Sequence, residues 1–218
     1  MYRAEEDYIK NIYKLTVEKN KKIVKNNELA EVLGFTDQTV NEMIKKLVTK
    51  KLVSFIPYKG VSLTSKGLNE SIRLVRNHRL WEVFLVNHLN YKWTEVHEEA
   101  EKLEHASSDL LIENLFKYLK QPVYCVHGNA IPNLDGSVAK TFDFSLSDCN
   151  PGDVFILKRV MDQPKLLKFL DEKNIRLYSI LKIVGKDTFN GMIEISYLNE
   201  TFYVSLIIAD KLFGELES

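Results

Sequence analysis

Residues 28–52 read ELAEVLGFTDQTVNEMIKKLVTKKL. Leu29, Val32 and Leu33 form a short helical stripe that stops at Gly34, a residue that tolerates the positive φ of a helix end. Thr36 stands where an N-cap belongs, ahead of Val40, Met43, Ile44 and Leu47 on one face of a second helix. A short helix, a glycine turn and a second amphipathic helix make the helix-turn-helix pattern. Upstream, Ile9, Ile12 and Tyr13 fall at helical spacing. Downstream, residues 52–64, LVSFIPYKGVSLT, are two β-prone runs separated by Pro57 and a Lys59-Gly60 turn, which predicts a hairpin with a basic tip.

A recognition helix meets base edges near its start, and here that stretch offers Thr36, Asp37, Gln38, Thr39, Asn41 and Glu42. Gln, Asn and Thr can hydrogen-bond base edges, while Lys45, Lys46, Lys50 and Lys51 are placed to reach phosphates and Lys59 lies on the wing. A solvated αα-hairpin has the same periodicity, so charge must decide. The 218 residues carry 30 basic and 30 acidic groups, yet Lys19 to Lys66 holds ten lysines against four acids. A local basic field of that kind suits a nucleic-acid partner.

The remaining chain changes character twice. Residues 67–121 are strongly helical, with the apolar run DLLIENLFKYL suited to packing on another helix. From Pro122 come loop signals, then β-prone segments VFILKRV, IRLYSILKIV, GMIEISYL and TFYVSLII, with one short helix from Pro164 to Asp171. Four or so strands in that space predict a small barrel. With 45% hydrophobic and 28% charged residues, a disordered chain is excluded. Apolar runs are too short to span a membrane, so a soluble, cytoplasmic protein with no membrane partner is expected. Two cysteines, Cys125 and Cys149, are too few for a disulfide scaffold.

All five histidines lie between residues 78 and 127. His78 and Glu82 are one helical turn apart, and His97, Glu101, Glu104 and His105 make a second stripe along VHEEAEKLEH. A surface helix can carry Glu and His with no ligand. Two such stripes, together with Cys125-Val126-His127, point instead to a divalent cation that offsets their charge. Carboxylates with imidazole suit Mn²⁺ or Fe²⁺; a lone thiolate brings in Zn²⁺, Fe²⁺ or Co²⁺. No CxxC pair is present, which excludes a closed thiolate zinc cluster. His88 reads as structural and Cys149 as a bystander.

Taken together, EDYIKNIY, the helix-turn-helix, LTSKG, HRLWEVFL, VHEEAEKLEH and CVHGNAIP resemble the DtxR/MntR family of metal-dependent transcriptional repressors, in its longer, three-domain form. The resemblance implies an α+β fold with three domains. These are a winged helix-turn-helix at 1–74, a helical metal-binding and dimerisation domain at 75–143, and a C-terminal SH3-like β-barrel at 144–218. It implies a homodimer that binds double-stranded operator DNA and controls metal-uptake genes. Mn²⁺ or Fe²⁺ would activate it, with Zn²⁺, Co²⁺ or Cd²⁺ able to substitute in vitro.

Position by position, the resemblance nominates Asp7, Glu101, Glu104 and His105 for one metal site, with His78 nearby. It nominates Glu82, Cys125, His127 and Asp162 for a second, and His97 as a further position that binds metal in some members. Where iron-responsive members have cysteine and methionine this chain has Glu101 and Asp7, and hard oxygen in place of sulfur favours Mn²⁺. Some manganese-responsive relatives carry another Glu three residues after that Asp. Here Lys10 stands there, against a paired two-metal cluster. The competing readings are a metalloenzyme, which lacks a nucleophile motif or phosphate loop here, and a metal-buffering protein, which would not need the basic first third.

Overall fold

A computed structural model of the chain describes residues 1–217, which divide into two compact units. The first comprises Met1–His78, Glu101–Asn114 and Pro132–Val138. Its helices α1 (Arg3–Thr16), α2 (Asn26–Leu33) and α3 (Asp37–Thr49) share one core. Tyr8, Ile9, Ile12 and Leu15 of α1 pack there with Leu29 and Ala30 of α2 and Val40, Ile44 and Leu47 of α3. Gly34 closes α2 at φ 69°, and the Thr36 hydroxyl accepts from the Thr39 amide at 3.2 Å, so both expected stop and start signals operate.

Strands β1 (Val53–Ile56) and β2 (Gly60–Leu63) form the wing hairpin, with Val53 opposite Leu63 and Ile56 opposite Gly60. Val24 bridges Val61 and ties the hairpin to the segment between α1 and α2. Helix α4 (Ser65–Leu89) begins immediately after, and its Ser71 hydroxyl donates to the Ile9 carbonyl of α1 at 3.0 Å. Helices α5 (Val96–Ala106) and α6 (Asp109–Tyr118) follow. On α6, Ile112 and Leu115 are buried while Leu110, Leu111 and Tyr118 are exposed.

The second unit comprises Arg79–Ala100, Leu115–Ile131 and the residues from 139 onward. Its sheet has six antiparallel strands in the order β3-β8-β4-β5-β6-β7. They are β3 (Phe144–Ser145), β4 (Val154–Val160), β5 (Ile180–Asp187), β6 (Met192–Tyr197), β7 (Glu200–Ser205) and β8 (Leu212–Leu216). The four β-prone runs supply β4 to β7, but residues 175–179 of the second precede its strand and the last three residues of the fourth, Leu206 to Ile208, turn into a helix. The two extra strands were not legible: β3 has two residues, and β8 is LFGEL, whose glycine breaks any alternation. The linear order leaves β3 and β7 as edges of an SH3-like sheet. Phe155, Leu157, Leu181, Ile183, Ile193 and Ile195 fill its inner face, with Leu166, Leu167 and Leu170 of α7 (Pro164–Glu172) and Ala209 of α8 (Leu206–Ala209). Among the described residues, no helix is long and apolar enough to cross a membrane.

Leu47 is fully buried while its neighbour Val48 is 40% exposed. Leu47→Ala should therefore cost about 2–5 kcal/mol, and Val48→Ala less than about 0.5 kcal/mol. Urea unfolding of the two variants measures the difference.

Candidate metal centres

The first cluster lies in the first unit and joins α1 to α5. One turn of α1 carries Glu6, Asp7 and Lys10; α5 answers with Glu101, Glu104 and His105. Ligand atoms of Asp7, Glu101, Glu104 and His105 all lie within 4.8 Å of one another. His105 Nε2 is 3.0 Å from Asp7 Oδ1 and 3.3 Å from Glu104 Oε1. His78 reaches the same cluster from α4, with Nδ1 2.6 Å from Glu104 Oε2. The helical stripe of α5 is thus brought together as its spacing suggested, and His78 joins it.

Two features of this cluster escaped the sequence reading, the role of Glu6 and the burial of Lys10. Glu6 Oε2 lies 2.6 Å from His105 Nδ1, and its other oxygen is held by Arg73 at 3.3 Å. Nδ1 donates to that carboxylate, and Nε2, which makes no hydrogen bond among the described residues, faces Asp7 and Glu104. Lys10 is the second. Its ammonium contacts Glu101 Oε1 at 2.5 Å and Glu104 at 2.6 and 2.8 Å, and the side chain is 2% exposed. A lysine one residue from Ile9 and two from Ile12 reads as the solvated flank of an apolar stripe, which hides its burial. Burial alone would raise the Glu101 carboxyl, but the Lys10 ammonium, then His78, hold it at about 2. Asp7 goes the other way, raised by burial and by the Glu101 charge against the pull of His105.

The second cluster lies in the second unit. Glu82 on α4 and Cys125 and His127 on the loop after α6 are buried, with ligand atoms within 4.8 Å of one another. His127 Nδ1 is 3.3 Å from Glu82 Oε1, and Nε2 is 2.9 Å from the Trp93 carbonyl. Because a carbonyl only accepts, the proton of the neutral ring belongs on Nε2, and Nδ1 faces Glu82. The loop is fixed by close packing. Gly128 has φ 80°, and a Cβ there would fall 2.0 Å from the Lys158 carbonyl on β4; the Val160 amide donates to the His127 carbonyl at 3.0 Å. That attachment carries His127 to the end of β4, where Asp162 follows, 4.0 Å from Nε2. His97 on α5 contacts the other oxygen of Asp162 through Nδ1.

Electrostatics in this cluster follow from burial and crowding. Burial and the Glu82 charge push the Cys125 thiol up. Burial would lower the His127 imidazolium, but hydrogen bonding to Cys125 and Glu82 outweighs it and pushes it up. Burial would raise Asp162, yet His97 and then His127 hold it below the usual carboxylate range. Trp93 and Asp162 had no local motif to announce them.

Both clusters fit a divalent cation by their donor chemistry. In each, an imidazole nitrogen, His105 Nε2 or His127 Nδ1, lies beside carboxylate oxygens, a donor set that a divalent ion would take up once the ring is deprotonated. His105 Nε2 is buried and makes no hydrogen bond among the described residues.

Also in the first unit, Thr36, Gln38, Thr39, Asn41, Glu42, Lys45, Lys46 and Lys59 are all exposed. The Asn41 amide oxygen accepts from Asn26, and the Thr36 and Thr39 hydroxyls hydrogen-bond each other at 2.9 Å. Lys50 is drawn away to Glu5 at 2.8 Å. His88 stacks on Phe84 with ring centroids 5.5 Å apart, and Cys149 is buried in the sheet core, outside both clusters.

Residues 1–61 match the family described as iron dependent repressor, N-terminal DNA binding domain. Residues 64–133 match the iron dependent repressor, metal binding and dimerisation domain. An uncharacterized HTH-type transcriptional regulator of Methanocaldococcus jannaschii is 36% identical over 121 residues, covering 56% of this chain and 96% of that one. The solved manganese regulator SloR is 37% identical, covers 98% of each chain and superposes with a TM-score of 0.83. A manganese-dependent transcriptional repressor solved with manganese is 34% identical over 98% of this chain and 100% of that one, with a TM-score of 0.87.

Since Glu101 titrates at about 2 instead of its ordinary 4.5, folding favours its ionised form. That stabilisation, up to about 3 kcal/mol, is complete above pH 4.5 and lost as pH falls toward 2. Acid unfolding of the metal-free protein should steepen across this window, and Glu101→Gln should flatten that limb.

Proposed function

The chain belongs to the DtxR/MntR family of metal-dependent transcriptional repressors, and we propose that Mn²⁺ or Fe²⁺ activates it to bind double-stranded operator DNA. It is a metal-responsive, dimerising DNA-binding repressor, and its family is not one of enzymes. On this reading it acts in the cytoplasm, and its targets are metal-uptake genes. Residues 1–74 read DNA, 75–143 bind metal and dimerise, partly through the exposed apolar side of α6, and 144–218 form the SH3-like domain.

One observation carries the reading: Asp7, on a helix of the DNA-binding core, shares a ligand cluster with Glu101, Glu104 and His105 of α5. These residues would hold a divalent ion, which would supply the positive charge that the carboxylates of the two helices call for. Asp7 and Glu104 provide hard oxygen, which favours Mn²⁺, and Glu6 keeps His105 Nε2 free to ligate. Because Tyr8, Ile9 and Ile12 pack against α2 and α3, holding α1 against α5 also sets the position of the recognition helix. Glu82, Cys125, His127 and Asp162, with His97 against Asp162, form the second site and hold the 125–131 loop, β4 and α4 together. Its thiol widens the accepted ions toward Fe²⁺, Zn²⁺, Co²⁺ and Cd²⁺. An enzyme or a metal buffer would leave the winged helix and its exposed lysines without a use.

Asp7→Ala tests the reading directly. It should remove the metal-dependent gain in DNA affinity, about 5–150-fold for a coupling of ordinary size, and leave the dimer intact by sedimentation. Equal metal response in wild type and variant would sink it.

The DNA-facing residues divide by chemistry. Lys45→Ala or Lys46→Ala should weaken binding to all sequences and reduce the salt slope by about one for each phosphate no longer neutralised. Gln38→Ala or Thr39→Ala should instead relax sequence preference, by about 1–3 kcal/mol at the base concerned. Thr36, Asn41, Glu42 and Lys59 complete the proposed surface. Binding assays on matched and scrambled duplexes at several salt concentrations separate the two groups.

A further inference from the structure

Resting on the reading of the α1–α5 cluster as a metal site, we propose that Lys10 is that site's permanent second cation. Its ammonium occupies the Glu101–Glu104 side, limits the cluster to one divalent ion, and keeps it assembled when no ion is bound.

Lysine ordinarily extends its ammonium into water along an apolar stem. Lys10 does the opposite, with a side chain 2% exposed and its charge facing Glu104, which is fully buried. Contacts of 2.5 Å to Glu101 and of 2.6 and 2.8 Å to Glu104 are those of charge-assisted hydrogen bonds, and a competing ion would have to break them. His78 Nδ1, 3.4 Å from Nζ, closes the same side. Asp7 and His105 Nε2 define the other side, where Glu104 Oε1 is the shared oxygen.

Charge balance gives the stoichiometry. Asp7, Glu101 and Glu104 are three carboxylates facing one ammonium, while Glu6 is taken by Arg73 and His105. With the His78 ring as a neutral imidazole, one divalent ion brings this set to neutrality. A second would leave two excess positive charges in a mostly buried place, which the interior does not tolerate. Removing the ammonium reverses the balance: the carboxylates repel one another without metal and attract it more strongly. Lys10 therefore sets both the number of ions and the threshold at which one binds.

The test is Mn²⁺ titration of the full-length protein by equilibrium dialysis with electron paramagnetic resonance, alongside thermal unfolding without metal. Wild type should show magnetically isolated Mn²⁺. Lys10→Glu should bind one more ion per chain and display an exchange-coupled pair. Lys10→Arg should keep the wild-type count. Lys10→Met should keep that count, bind the ion about tenfold or more tightly, and melt at a lower temperature without metal. An exchange-coupled pair in wild type would overturn the proposal, as would an unchanged count and spectrum in Lys10→Glu. If Lys10→Glu does not fold, Lys10→Met decides, and unchanged affinity and melting there overturn it. Asp7→Ala separates this from the underlying reading: loss of one ion supports the site, whereas an undiminished count sinks the site itself.

Discussion

Charge removed from water must be matched by charge, and the packing of α1 on α5 is governed by that rule. Glu6, Asp7 and Lys10 on α1 meet Glu101, Glu104 and His105 on α5, with Arg73 and His78 of α4 completing the set. Apolar residues could join two helices at lower cost, but they would join them permanently. Ionic groups make the contact responsive to whatever carries positive charge. The opposite face of α1 is ordinary core, built from Tyr8, Ile9, Ile12 and Leu15. One helix therefore has a conditional side and an unconditional one, and a change on the first must move the elements fastened to the second.

The two clusters differ in what they fasten. The first uses oxygen and imidazole only and reaches the helix that supports α3. The second includes a buried thiol, and it draws on α4, the 125–131 loop and the residue two beyond β4. Both orient the imidazole in the same way, by giving one ring nitrogen an acceptor that cannot donate: Glu6 for His105, the Trp93 carbonyl for His127. In each case one ring nitrogen is already hydrogen-bonded to that acceptor and the other faces the cluster, so the ring is held in the orientation that ligation needs. The difference in hardness lets the clusters respond to different ions, and the difference in location gives the response different consequences.

What was legible in the sequence follows from how local each feature is. The α5 stripe and the helix-turn-helix are periodic within one helix or one turn, so Glu101, Glu104, His105, Gly34 and Thr36 announce themselves. Asp162 follows a strand whose packing on the Gly128 loop brings it beside His127, and nothing local marks it; family resemblance alone nominated it. Glu6 looks like one acid among several at a helix start, and its role appears only when Arg73 and His105 flank it. Strand β3 has only two residues, and the glycine of β8 interrupts its alternation, so neither announces itself.

Lys10 is the most instructive case, because the resemblance marked it as a departure while the geometry gives it a use. A metal site whose carboxylates had no internal partner would stay apart until an ion arrived, and binding would have to drive the assembly of α1 and α5. With an ammonium already holding Glu101 and Glu104, the helices are in place beforehand, and a divalent ion adds only the Asp7 and His105 side. The free energy of binding can then go into shifting α1 between closely related positions. This is a different regime from small metal domains that unfold without their ion. A repressor needs a shift large enough to change DNA affinity and small enough to reverse when metal falls, and a coupling of a few kcal/mol meets both demands. The buried lysine places the site in that range by making the metal-free state stable instead of broken.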